Sequence, residues 1–185
     1  MQSNHFVDRL LEDLQDSVIY RTLTKGEEIL QLGEVCDYVG IVRKGSLRMY
    51  YIDAEGDDVS FAFYLSNHIF TNYEGVLTSV PSQLTIVATK ETDVELIRKS
   101  DLFAYYETSI EAQLLGRRMA ELIFLEAKKR IDFLLFLNPE QRYLQLIEST
   151  PEVFKCIPQK YIASYIGVKP QSLSRIRKRL NEKGY

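Results

Sequence analysis

Cysteine and histidine are scarce in this 185-residue chain, with two of each. Cys36 and Cys156 stand far apart and form no CxxC pair, zinc spacing or disulfide framework, so both read as packing residues. His5 and His68 are too few to build a metal site. No apolar run approaches the ~20 residues that span a bilayer. The first residues, MQSNHFVDRLLEDL, are amphipathic and acidic and carry no apolar signal core. Together these absences point to a cytoplasmic protein without a membrane partner. There is also no nucleophile–base–acid set and no glycine-rich loop opening a helix, which sets an enzyme aside. Asp57 and Asp58 read as turn residues rather than catalytic carboxylates.

What is present divides into three regions. From Tyr20 to Ile97, short runs rich in Val, Ile, Tyr, Phe and Thr alternate with turns at Gly26, Gly33, Gly45 and Gly56. That is the pattern of an antiparallel barrel or roll. Asp53-Ala54-Glu55-Gly56-Asp57 reads as a hairpin turn, and a helix near Asn4 to Leu14 precedes the roll. From Lys99 to Leu137 the chain has one glycine, Gly116, and no proline, with room for more than one helix. The stretch from Ile110 onward reads as a single long helix, with Leu115, Met119, Leu122 and Ala127 as an apolar stripe that Ile123 and Phe124 widen. We expect Leu115, Met119, Leu122 and Ile123 to serve dimerisation; the alternative is that the stripe packs on the roll. Asn138-Pro139 ends the helix and marks a hinge.

From Pro139, a helix with Tyr143, Leu144 and Ile147 on its apolar side runs to Pro151. Pro158 and Pro170 then open two more, where a missing donor costs nothing. In IPQKYIASYIGVKPQSLSRIRKRL, Ala163 is small where two helices would touch, and Gly167 can take the positive φ of a sharp turn. Leu173, Ile176 and Leu180 give the last helix one buried face. Its other face carries Gln171, Arg175, Lys178 and Arg179 and no carboxylate, as a helix lying in the DNA major groove requires. Charge agrees: residues 155–185 hold eight bases and one acid, a net +7, so residues 1–154 carry −10 within an overall −3. The competing readings are a solvated basic helix, or a sensing module whose helix-turn-helix docks a protein partner.

The β-roll, long helix, proline-marked hinge and C-terminal motif together resemble the Crp/Fnr family of bacterial transcription regulators, most closely its short, divergent Bacteroidetes-type members. The resemblance runs from about Leu23 to Leu180. It implies an α+β chain: an N-terminal antiparallel β-roll of the cupin-like jelly-roll kind at 1–109, similar to cyclic-nucleotide-binding domains, a dimerisation helix at 110–137, and a winged-helix-like helix-turn-helix domain at 138–185. It implies a homodimer reading an inverted repeat in double-stranded DNA, with RNA polymerase as a further candidate partner. Gln171, Ser172 and Arg175 match the base-contacting positions, and Lys178 and Lys160 suit phosphates. Ser174 fits either role or a small residue near the backbone. Lys169 and Arg179 are also counted with the DNA-binding residues, and Lys169 stands where relatives carry a capping Ser or Thr, so one cap is lost. The chain also stops at Tyr185, where many relatives continue into a β-wing.

The effector pocket departs from the family. Its equivalent here, around Tyr73, Glu74, Gly75, Ser82 and Gln83, has Glu-Gly rather than Gly-Glu, and Ser82-Gln83 where an Arg-Ser/Thr pair belongs. No Arg or Lys lies between Arg48 and Lys90. A bound phosphate would lack its cation, which argues against cAMP and leaves an unidentified small-molecule effector open. Cys36 alone does not match the oxygen-sensing branch, nor His68 alone the haem-sensing branch. No cofactor is identified.

Overall fold

The computed structural model describes residues 5–182, so Asn4, the expected start of the first helix, and Lys183 and Tyr185 lie outside the described residues. Helix α1 (His5–Asp13) leads into β1 (Ile19–Leu23), β2 (Glu28–Leu30), β3 (Tyr38–Lys44), β4 (Ser46–Ile52), β5 (Asp58–Leu65) and β6 (Ile69–Phe70). Helix α2 (Tyr73–Thr78), then β7 (Thr85–Ala88) and β8 (Thr92–Arg98), complete the first layer pair. The helices that follow are α3 (Lys99–Tyr106), α4 (Ile110–Phe136), α5 (Pro139–Ser149), α6 (Val153–Cys156), α7 (Gln159–Tyr165) and α8 (Pro170–Glu182).

The strands form two four-stranded antiparallel sheets, ordered β1-β8-β3-β6 and β2-β7-β4-β5. The roll is therefore as its alternating runs suggest, and the chain is α+β. Side chains from both inner faces, including Leu23, Leu30, Val42, Leu47, Met49, Phe70, Ile86 and Val94, close the core between the sheets. Because strand side chains alternate, Arg48 between Leu47 and Met49 points out of the roll. The outer face of the first sheet, through Val39, Ile41 and Ile97, packs under Leu10 of α1, Leu14 just after it, Leu102 of α3 and Met119 of α4. The outer edge of the second sheet, through Leu65 and Phe63 of β5, packs against α4, α5, α7 and α8.

The helix boundaries have local causes. Ser109 caps α4 by accepting from the Ala112 N–H at 3.0 Å. Asn138 and Gln141 form a reciprocal capping box at the start of α5, beside Pro139. Arg142 closes the end of α4, donating to the carbonyls of Phe133, Leu134 and Leu137, and reaches Ile166 O at the end of α7. Those carbonyls have no intrahelical donor, so one guanidinium satisfies two helix ends.

Two expectations about buried faces are corrected. On α5 the buried pair is Tyr143 and Leu146; Ile147 is exposed and Leu144 half-buried. On α4, Leu115 and Met119 are buried within their own chain, Met119 to 1% exposure, and Leu122 and Ile123 are half-buried. Met119 and Ile123 pack on the roll with α1 and α3, so this part of the expected dimerisation stripe is covered within its own chain. The apolar face left open on α4 runs through Ile110, Leu114, Phe124, Ile131 and Leu135, on the opposite side of the helix. Among the described residues, no helix is long and apolar enough to cross a membrane.

Candidate nucleic-acid interface

The C-terminal helix pair crosses over the small Ala163, which is fully buried with Ile162, Ile166, Leu173, Ile176 and Leu180. Gly167 takes φ +76°, and Val168 N–H returns to Ala163 O at 3.0 Å, which makes the turn between α7 and α8 sharp. A side chain at Gly167 would meet only the flexible end of Arg142, so it is the positive φ that requires this glycine.

Burial of Leu173, Ile176 and Leu180 turns Gln171, Ser174, Arg175, Lys178 and Arg179 outward. Gln171, Arg175 and Lys178 form no side-chain hydrogen bond or ion pair among the described residues and are open to a ligand. Ser172 is half-buried. It lines, with Arg175, Arg179 and Glu140, a groove of about 490 Å³ between α8 and the start of α5. Three expected contacts are already engaged. Arg179 pairs with Glu140 at 3.1 Å, Ser174 donates to Pro170 O at 3.2 Å, and Lys169 donates to Asp57 at 2.6 Å. Lys160 is exposed, its ammonium 4.6 Å from the centre of the Tyr161 ring.

The C-terminal helix pair docks on the roll through a polar seam that the sequence does not announce. Arg48, 1% exposed, donates to Ser60 Oγ at 2.8 Å and to the Asp58 carboxylate at 2.9 Å. Its guanidinium lies over Tyr161 of α7 at 3.8 Å and over Tyr50 at 4.6 Å. Ser60 and Ser164 hydroxyls meet at 2.9 Å, and the Ser60 N–H donates to Ser164 Oγ. Arg130 of α4 donates to Ser60 O and Tyr165 O and stacks on the Tyr165 ring at 3.8 Å. Its Nε and Nη1 are buried without partners, and burial holds its pKa below the usual arginine value. The only sequence hint of this seam is an arginine inside a strand.

The expected effector residues do not converge on a binding surface. Ser82 is buried, and its hydroxyl donates to Leu84 O while accepting from Asn72 Nδ2 and Leu84 N–H. That uses its whole hydrogen-bonding capacity. Gly75 is buried against Cys36, Tyr73 is half-buried, and Glu74 and Gln83 point to solvent. Inside the roll Tyr38 packs edge to face on Phe70 and Tyr64 packs on the same ring at a tilt, and burial raises both tyrosine pKa values. Arg48 turns outward, so it offers no cation to the interior.

The sequence of residues 20–109 matches the cyclic nucleotide-binding domain family. No curated protein shows a significant sequence match. Among solved structures, FixK2 from Bradyrhizobium japonicum is 20% identical over 90% of this chain and 86% of its own, with a TM-score of 0.77. The Thermus thermophilus catabolite activator protein is 17% identical, covers 99% and 85%, and has a TM-score of 0.59. The c-di-GMP-responsive global regulator CLP of Xanthomonas campestris is 16% identical, covers 97% and 92%, and has a TM-score of 0.66. The Thermus protein is named as an activator and the Xanthomonas protein as a global regulator. Residues 20–109 thus match the cyclic nucleotide-binding domain family, and the chain as a whole has the fold of Crp/Fnr-type regulators.

Proposed function

We propose that this chain is a sequence-specific DNA-binding transcription regulator that works in the cytoplasm as a homodimer. One observation carries the reading: the solvent face of α8 presents Gln171, Arg175 and Lys178 unengaged, and its one carboxylate, Glu182, stands at the far end of the helix. An arginine there can fork onto guanine O6 and N7, a glutamine can pair with adenine, and lysines neutralise phosphates. The open apolar face of α4, through Leu114, Phe124, Ile131 and Leu135, supports pairing with a second copy. Its interruption by the Arg117–Glu121 ion pair suits a seam with polar register marks. The internally satisfied Ser82 and the absence of a cation from Arg48 to Lys90 argue against cAMP bound through its phosphate.

Selection of duplexes from a randomised pool, with no added ligand, tests this reading. The expected result is an inverted repeat with half-sites about one helical turn apart. Arg175→Ala should then cost about 1–3 kcal/mol on the selected site and relax base preference at one position. Equal losses on selected and random duplexes would reduce Arg175 to a phosphate contact. Recovery of no sequence by a folded, dimeric protein would count against the DNA-reading assignment.

A further inference from the structure

The turn joining β4 to β5 lies against the start of α8, and its chemistry is the opposite of the helix it touches. Asp53 Oδ1 accepts from the N–H groups of Glu55 and Asp57, Asp53 N–H donates to Asp57 O, and Gly56 takes φ +84°. These bonds fix the turn, and with it the positions of its carboxylates. Asp58 is committed to Arg48, but Asp57 reaches out to Lys169 at 2.6 Å. Lys169 immediately precedes Pro170, the first residue of α8. Its ammonium is held above its ordinary pKa by the hydrogen bond and charge of Asp57, with smaller contributions from Asp53 and Glu55.

The start of a reading helix is where a duplex brings its anions, because the helix dipole is positive there and its first residues enter the groove. Three carboxylates already stand at that end. The turn cannot swing aside alone, since Ser60 in the same strand is bonded to Ser164 of α7, and Arg48 is stacked under Tyr161. We propose that the acidic turn at residues 53–57 mimics phosphate at Lys169 and acts as a built-in brake on DNA binding. The brake is released when the reader lifts from β5 or when the charge of the turn is neutralised. This inference rests on the DNA-reading assignment above.

The test compares dissociation constants by fluorescence anisotropy, using the selected duplex and full-length protein. Asp53→Asn/Glu55→Gln/Asp57→Asn keeps the acceptors of the turn and removes its charge. A control, Glu12→Gln/Asp16→Asn/Glu107→Gln, removes the same charge from exposed residues near the layer on the opposite sheet. The neutral turn should bind about tenfold more tightly at low salt, and the control less than about twofold. Lys169→Ala should cost several-fold more in the neutral-turn background, where Lys169 is free to meet phosphate, than in the natural chain. Equal gains from the two triple variants, or an additive effect of Lys169→Ala, would overturn the brake while leaving DNA reading intact. If every variant melts as a folded protein yet none retains duplex, the brake and the DNA-reading assignment fall together.

Discussion

Arg142 shows how much one side chain holds in this fold. Its guanidinium spans four carbonyls, three at the end of α4 and one at the end of α7. A lysine is a point donor on a flexible stem and cannot span them. Arg142→Lys should therefore lower stability by about 2 kcal/mol, measured by urea denaturation, although charge is conserved. His68 offers a test by pH. Burial lowers its pKa below 6.5, against the opposing charges of Glu126 and Glu152 and a bond to the Phe63 backbone. The unfolded chain therefore takes up a proton near pH 6.5 while the folded chain does not. Stability is complete above that pH and falls as pH drops through it towards the folded pKa. His68→Gln should flatten this part of the stability–pH curve; an unchanged slope would show that other groups produce it. His68 is legible in the sequence as a lone histidine, but its environment is not. Three of the acceptors of Arg142 lie within nine residues of it, but Ile166 O comes from another helix, which sequence spacing does not bring near.

At the scale of elements, α4 separates what periodicity reveals from what it leaves ambiguous. Its length follows from a run free of proline and from the Ser109 and Asn138 caps. The choice of face does not follow, because apolar residues lie on two sides. Leu115 and Met119 go to the roll, whereas Phe124, 68% exposed, and Ile131 go to solvent. Sedimentation can distinguish the two sides. Phe124→Glu/Ile131→Glu should yield a monomer with near-normal thermal stability. Met119→Glu should instead unfold the chain, since an unpaired carboxylate in the core costs upward of ~4 kcal/mol. A dimeric Phe124→Glu/Ile131→Glu variant would show that α4 is not the interface. The helix pair α7–α8 was more legible, because Ala163, Gly167, Leu173 and Ile176 each answer one geometric demand of a sharp crossing.

At the scale of the molecule, polar groups cross between the C-terminal helix pair and the roll. Tyr161 covers the buried Arg48, and Ser60 bonds to Ser164. Tyr161→Ala should remove about 1–2 kcal/mol of coupling between the halves. In calorimetry, a single transition should then separate into two; a single transition at a lower temperature would mean that Leu65, Phe63 and Tyr165 couple them without help. Arg130 acts in the other direction. It is a buried cation with two unpartnered nitrogens and no carboxylate beside it, so separation of the halves would return it to water.

The sequence by itself determined the roll, the long helix, the turn at Gly167 and the cationic face of α8. Each depends on residues close in the chain, on alternation, period or the dihedral freedom of one residue. Tertiary structure decided which side of α4 is covered, that Ser82 is internally satisfied, and that Asp57 meets Lys169. Those outcomes depend on charges and surfaces from distant segments competing for the same neighbours, and local spacing carries no record of that competition.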